Sequence, residues 1–383
     1  MQRVLELIRL IERSPVHANM LLERLVATST FPLVDEDQAT FFFWDGRPAD
    51  QVFLQHWVWG LPARVEFRPI PHTDAFYLPL SLPKRARIEY KFEVVRNGNG
   101  RWTPDPRNPR RAYDPFGSNS VCPSFGYEEP DWTRHDPASR RGELHEHRLH
   151  SKAWGDERHF QVYVPAEARP GKSYPLLIVH DGRDFLNFGG MQQILDNLIH
   201  RHEIEPMLVC FTSGVARNPE YAANPKQADF LKFDLLPWLE HHYSVKAGPE
   251  NRGLMGASFG GVSSLYAAVR HPDTFGRLML QSGSFAFTDV GEHERGPLWD
   301  PIVAFVNGFR ENPTKINSRI YQSCGTFESL IYYNRSLYPI FQKVSQGVHF
   351  TEAADGHNWI NWRDRLREGL TWLFPGPLWM YYE

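Results

Sequence analysis

Gly256-Ala257-Ser258-Phe259-Gly260 sets a serine among small residues, after the apolar run Gly253-Leu254-Met255 and before a segment of helical character from Val262 onward. A serine at a sharp strand-to-helix turn is presented at the strand's end. The helix N-terminus behind it favours negative charge developing on a carbonyl under attack. The same short pattern also marks ordinary Gly/Ser-rich turns, so a nucleophilic reading needs partners elsewhere in the chain. The first of these is a base, because a serine hydroxyl is a weak nucleophile at neutral pH.

Hydrolases built on such an elbow carry their triad in the chain order Ser, then Asp or Glu, then His. That order removes most of the 17 histidines and leaves His271, His293, His349 and His357. His271 falls in the turn after the elbow helix, His293 in a polar loop and His349 inside a strand-like run. His357, in Asp355-Gly356-His357-Asn358-Trp359, falls between that run and the last helix, where the base is expected. The expected acid is Glu328, in the loop after the strand-like Arg319–Cys324 segment. It would fix the imidazole tautomer and stabilise imidazolium without taking the proton. Asp355 is a rival but would have to fold back tightly, and Asp289 is a weaker one. An oxyanion hole needs two backbone N–H groups. Phe259 supplies the first, and Gly182 or Arg183, after the apolar run LLIVHDG, the second. The side chains of Asp181 and Arg183 serve either the turn or the substrate.

Two textures of sequence must position these residues. Residues 2–13 and 18–26 read as amphipathic helices. From Ala39, the runs ATFFFWDG, QVFLQHWVWG, AFYLPLSLP and RIEYKFEVV, separated by Gly/Asn/Asp turns, predict a small β-sandwich. Residues 104–143, rich in Pro, Arg and Asp, read as an ordered linker that wraps between domains. Beyond it, apolar strands alternate with helices, which predicts a mostly parallel sheet covered on both faces. The expected domains are N-terminal helices at 1–30, the sandwich at 31–103, the linker at 104–143 and an α/β catalytic domain at 144–383.

The net charge of -3 and pI near 6.6 argue against nucleic-acid or membrane-surface partners. Three scattered cysteines suggest neither a disulfide framework nor a zinc site. The first 25 residues lack the continuous apolar stretch of a signal peptide, so the expected location is the cytoplasm. The expected partner is a small-molecule ester. Nothing in the sequence speaks to the oligomeric state.

Seven segments in order resemble the esterase D family, and within it the enterochelin (iron-trilactone siderophore) esterase branch. They are HDGRDF, RNPEY, DLLPWLEHHY, GASFGGVSSLYAAVRHPDTFG, QSGSF, CGTFES and DGHNWINWR, spread over residues 145–375. The resemblance implies an α/β-hydrolase fold, no cofactor or metal, and a triad of Ser258, Glu328 and His357. Arg217 and Glu220 match the family's R-x-x-E pattern beside the site. The expected substrate contacts are therefore Asp181, Arg217, Glu220 and Trp359. FFFWDGRPADQVFL, IEYKFEV and WTPDPRNP resemble the early-set, immunoglobulin-like domains that precede glycogen-active enzymes. Such a domain is expected to wall the cleft, its aromatics mostly core, with sugar binding through Trp57, Trp59 or Trp102 as the lesser reading. Among esterases, feruloyl or acetyl-xylan esters are the alternative to a siderophore. From another class, the alternative is a carbohydrate-binding protein with an inactive hydrolase domain.

Overall fold

A computed structural model of the chain describes residues 2–166, 168–289 and 293–377. The residues cluster into two units. The first is Met1–Glu129 with two short later segments, Thr326–Glu328 and Ala353–Asn358, and the second holds the rest.

The first unit begins with helices α1 (Gln2–Arg13) and α2 (Ala18–Ala27). Ten strands follow: β1 (Leu33–Val34), β2 (Gln38–Phe43), β3 (Gln51–His56), β4 (Arg64–Glu66), β5 (Arg68–Pro69), β6 (Phe76–Ser81), β7 (Arg87–Arg96), β8 (Asn99–Thr103), β9 (Arg111–Asp114) and β10 (Gly117–Pro123). One sheet has the order β1-β2-β6-β5. The other runs β4-β3-β7-β10-β9, with β8 also on β7. The aromatic run in β2 is continuous because both faces are buried. Phe41 and Phe43 join Tyr90 and Phe92 in the inter-sheet core, while Phe42 joins Val4, Leu7, Ile11 and Leu22 beneath the two helices.

One expectation changes here. The segment 104–143 is not only a connection, because β9 and β10 within it form a hairpin that extends the second sheet through β7. The strands are short and lie among Pro, Asn and Asp, so composition alone reads as loop. The aromatics of the sandwich are mostly buried, as expected, while Trp57, Trp59 and Trp102 are each more than half exposed.

The second unit holds an eight-stranded sheet of β11 (Glu143–His150), β12 (Glu157–Val164), β13 (Leu176–Val179), β14 (Leu208–Thr212), β15 (Arg252–Ala257), β16 (Arg277–Gln281), β17 (Arg319–Gly325) and β18 (Gly347–Ala353). Their order is β11-β12-β14-β13-β15-β16-β17-β18, with β14, β13, β15, β16 and β17 mutually parallel. The central strands are buried along nearly their whole length because helices cover both faces. In β13, Leu176 and Ile178 enter one core while Leu177 and Val179 enter the other. The helices are α3 (Gly182–Asn187), α4 (Met191–His200), α5 (Arg217–Tyr221), α6 (Pro225–Asp229), α7 (Leu236–His242), α8 (Phe259–Arg270), α9 (Asp300–Glu311), α10 (Ile331–Val344), α11 (Trp359–Arg363) and α12 (Leu366–Leu373). The helix expected over 230–243 opens into a widened π-type turn at Phe230–Leu235 before α7. Pro237, which has no N–H to donate, explains the break. The parallel strands end on one edge, and the loops beyond such an edge are where α/β sheets place their sites.

Candidate active site

At the end of β15, Ser258 adopts φ 57° and ψ -121°. A non-glycine residue held there stores about 1–3 kcal/mol of strain. The surrounding backbone enforces it. The Ser258 N–H donates to the Gln281 carbonyl at 2.9 Å, and its own carbonyl accepts from Gly261 and Ser284, each at 3.1 Å. Only glycine fits at position 256, where a Cβ would lie 2.3 Å from the Gly260 carbonyl carbon. The sharp turn that follows leaves the serine partly exposed, with its Oγ 3.1 Å from Ser284 Oγ. Phe259 is the first residue of α8, so its N–H has no acceptor within the helix.

Behind the elbow lies His180, fully buried. Its Nδ1–H donates to the Met255 carbonyl at 3.1 Å, and the Ser263 hydroxyl donates to Nε2 at 3.0 Å. Burial pulls its pKa down to about 4. Between the unfolded value near 6.5 and that folded value, the unfolded chain binds the extra proton. His180 therefore favours folding above pH 6.5, and this contribution is lost as the pH falls. By pH 5 the loss is about 2 kcal/mol. Denaturant unfolding of wild type and His180→Gln at pH 7.5 and pH 5 should show the variant losing distinctly less stability than wild type over that interval. Parallel losses would remove His180 from the account.

The turn after β13 is equally constrained. Asp181 sits in the left-handed region (φ 54°, ψ 37°), and a Cβ on Gly182 would lie 2.4 Å from Phe211 Cα. Gly182 and Arg183 open α3, so their N–H groups also lack intrahelical acceptors. Asp181 is buried and paired with Arg217 through two bonds, Nε to Oδ1 at 2.7 Å and Nη2 to Oδ2 at 2.6 Å. Burial works against the Arg217 charge, and the Asp181 carboxylate more than offsets it, so the Arg217 pKa is raised. Arg217 and Glu220 do not pair with each other. Glu220 faces inward, accepting from Arg158 Nη1 at 2.8 Å and from the N–H groups of Val215 and Ala216. It therefore anchors its loop. Trp359 packs edge-on to Phe185 at 5.2 Å and to Trp362 at 4.9 Å, and is partly exposed.

In the first unit, His357 Nδ1–H meets Glu328 Oε2 at 2.6 Å, with the carboxylate buried and the imidazole exposed. Glu328 follows β17 by three residues, and His357 follows β18 by four. Asp355 is turned to other partners: the N–H of Gly356 at 2.7 Å, Asn358 Nδ2 at 2.8 Å and Arg87 Nε at 3.1 Å. Asp289 is exposed, 3.6 Å from Arg310. The other three histidines beyond the elbow pair elsewhere: His271 with Asp229, His293 with Asp300 and His349 with Glu368.

Sequence reasoning passed over Ser284 and Ser282. Ser284 meets the nucleophile candidate through both its N–H and its hydroxyl. Ser282, at φ 46°, donates its N–H to the Ser323 carbonyl and accepts at Oγ from Trp362 Nε1 at 2.9 Å. The QSGSF segment that carries both was the available signal. Among the described residues, no group of His, Cys, Asp and Glu could hold a metal ion, and no helix is long and apolar enough to cross a membrane.

Residues 151–373 match the family model described as "Putative esterase". The iron(III) enterobactin esterase of Escherichia coli O6:H1 is 26% identical over 222 residues, covering 56% of this chain and 53% of the relative. The endo-1,4-beta-xylanase/feruloyl esterase of Xylanibacter ruminicola is 27% identical over 185 residues, covering 44% of this chain and 25% of the relative. The chain thus spans about half the length of the enterobactin esterases it matches. Among solved structures, the ferric enterobactin esterase of Salmonella typhimurium superposes with a TM-score of 0.75 at 20% identity, over 92% of this chain and 98% of that one. A ferulic acid esterase superposes with a TM-score of 0.54 at 19% identity, over 62% of this chain and 98% of that one. These likenesses establish the α/β-hydrolase fold. The family model covers more than half of the sequence, and the chain belongs to this esterase family.

Proposed function

We propose that the chain is a serine carboxylesterase working through Ser258, His357 and Glu328. The observation that carries this reading is the strained conformation of Ser258 at the β15–α8 turn, a cost with no evident structural return. The His357–Glu328 bond supports it: Glu328 holds the proton on Nδ1 and leaves Nε2 as the base. In the proposed reaction His357 removes the Ser258 proton as Oγ attacks the ester carbonyl. The N–H groups of Phe259 and of Gly182 or Arg183 take the oxyanion. His357 returns the proton to the departing alcohol, and water then releases the acid from the acyl-enzyme by the same steps. Every group this scheme uses comes from the chain. Hydrolysis of p-nitrophenyl butyrate should therefore persist in excess EDTA, and loss of activity restored by zinc would contradict the scheme.

For the natural substrate we propose a siderophore trilactone. The first unit's Met1–Glu129 makes up about a third of the 383 residues. A match over 92% of the chain to a ferric enterobactin esterase must take in most of that third, whereas the ferulic acid esterase match reaches only 62%. Of Arg183, Arg217 and Arg363, two are already committed, Arg217 to Asp181 and Arg363 to Asp364. Only Arg183 is exposed. This favours the iron-free trilactone over its ferric, multiply anionic complex. Specificity constants for the trilactone with and without iron, and for a feruloyl sugar, test this. The expected order is iron-free, then ferric, then feruloyl, and a dominant feruloyl activity would overturn it.

A further inference from the structure

We propose that Arg87, at the start of β7, is a positioning residue for the imidazole of His357. The inference rests on the triad reading above. β7 alternates as Arg87-Ile88-Glu89-Tyr90, a pattern in which Arg87 and Glu89 should face solvent. Instead Arg87 is buried, its side chain to 2% exposure, and Glu89 is partly buried beside it. Besides its β10 neighbour Pro123, three contacts of Arg87 reach one segment, residues 354–358. The Arg87 N–H donates to the Ala354 carbonyl at 2.9 Å, Nη2 donates to Asn358 Oδ1 at 2.7 Å, and Nε lies 3.1 Å from Asp355 Oδ2. Those three residues bracket Gly356 and His357. Asp355 closes the turn by accepting from the Gly356 N–H and from Asn358 Nδ2. Glu89 completes the network, accepting from Arg87 through both Nη1 and Nη2 and from Asn119 Nδ2 at 2.8 Å.

The segment carrying the acid is held by the same unit. The Trp59 N–H donates to the Phe327 carbonyl at 2.8 Å, and the Phe327 side chain packs against the inter-sheet core. The Phe327 N–H also donates to the Asp355 carbonyl at 3.1 Å, tying the Glu328 and His357 segments together. Burial raises the Asp355 pKa to about 6, and the Arg87 charge opposes that rise. Asp355 is thus a partner of Arg87 and serves the base through the turn. An arginine fork suits this task because its planar donors fix direction as well as charge.

A misplacement of about 1 Å in a reacting group can cost about 10²-fold in rate. In the full-length protein, Arg87→Met should lower kcat on p-nitrophenyl butyrate by about 10²-fold, with KM within about two-fold of wild type. Arg87→Lys, which keeps the charge but not the fork, should recover part of the loss. Asn358→Ala leaves the buried charges in place and removes one tether. It should lower kcat with KM unchanged, and it keeps the test open should Arg87→Met fail to fold. Ser258→Ala is measured alongside. If it retains turnover, the serine mechanism itself fails. If it is inactive while folded Arg87→Met and Asn358→Ala turn over like wild type, the positioning role alone is wrong. A rise in KM at constant kcat would also overturn the role, since it would make Arg87 a determinant of substrate binding.

Discussion

Ser258→Ala is expected to lower ester turnover by several powers of ten, about 10⁴–10⁶, because members of a triad act as a unit and the remaining groups supply only residual catalysis. The fold should survive. Among the described residues Oγ makes a single hydrogen bond, to Ser284, and the rest of the elbow is held by backbone bonds to Gln281 and from Gly261 and Ser284 that alanine retains. The stability change should therefore stay within about 1 kcal/mol. Steady-state kinetics with circular dichroism and thermal unfolding on the same preparations would check both. Retained turnover in a folded variant would place the chemistry elsewhere.

Glu328→Gln is expected to lower kcat by about 10⁴-fold, the loss typical when an amide replaces the triad carboxylate and stabilises the wrong imidazole tautomer. The motive is the 2.6 Å bond from His357 Nδ1 to a carboxylate that is almost wholly buried. An amide there presents its NH₂ to Nδ1, so the proton moves to Nε2 and the base is lost. Asp355→Asn should cost far less, about ten-fold or below. Asp355 is bound to Arg87, Asn358 and the Gly356 N–H, and asparagine keeps the shape of that turn. A larger loss from Asp355→Asn than from Glu328→Gln would reverse the assignment of the acid.

The candidate chemistry was legible in the sequence because its signals are local or ordinal. Gly-x-Ser-x-Gly after an apolar strand implies an elbow, and chain order excludes the upstream histidines. A carboxylate three residues past a strand is a natural partner for a histidine in the next such loop. What stayed hidden depends on contacts far apart in sequence. His180 reads as one letter in a strand until Ser263, Ser264 and Met255 close around it. Arg217 and Glu220 read as one R-x-x-E motif, yet they hold different partners, Asp181 and Arg158. The β9–β10 hairpin was obscured because its residues look like loop until they pair with β7. Arg87 was the least visible. Its alternation with Ile88 marks a solvent-facing residue, and only the return of residues 353–358, more than 260 positions later, buries it.

The most direct test of the central claim is to trap the acyl-enzyme. Wild-type protein mixed with p-nitrophenyl butyrate and quenched in acid within milliseconds should gain one butyryl mass. Peptide mapping should place it on Ser258, and Ser258→Ala and His357→Ala should gain none on that timescale. A butyryl group on another residue, or rapid turnover in which single-turnover quenching detects no acylated protein at any time, would contradict the account.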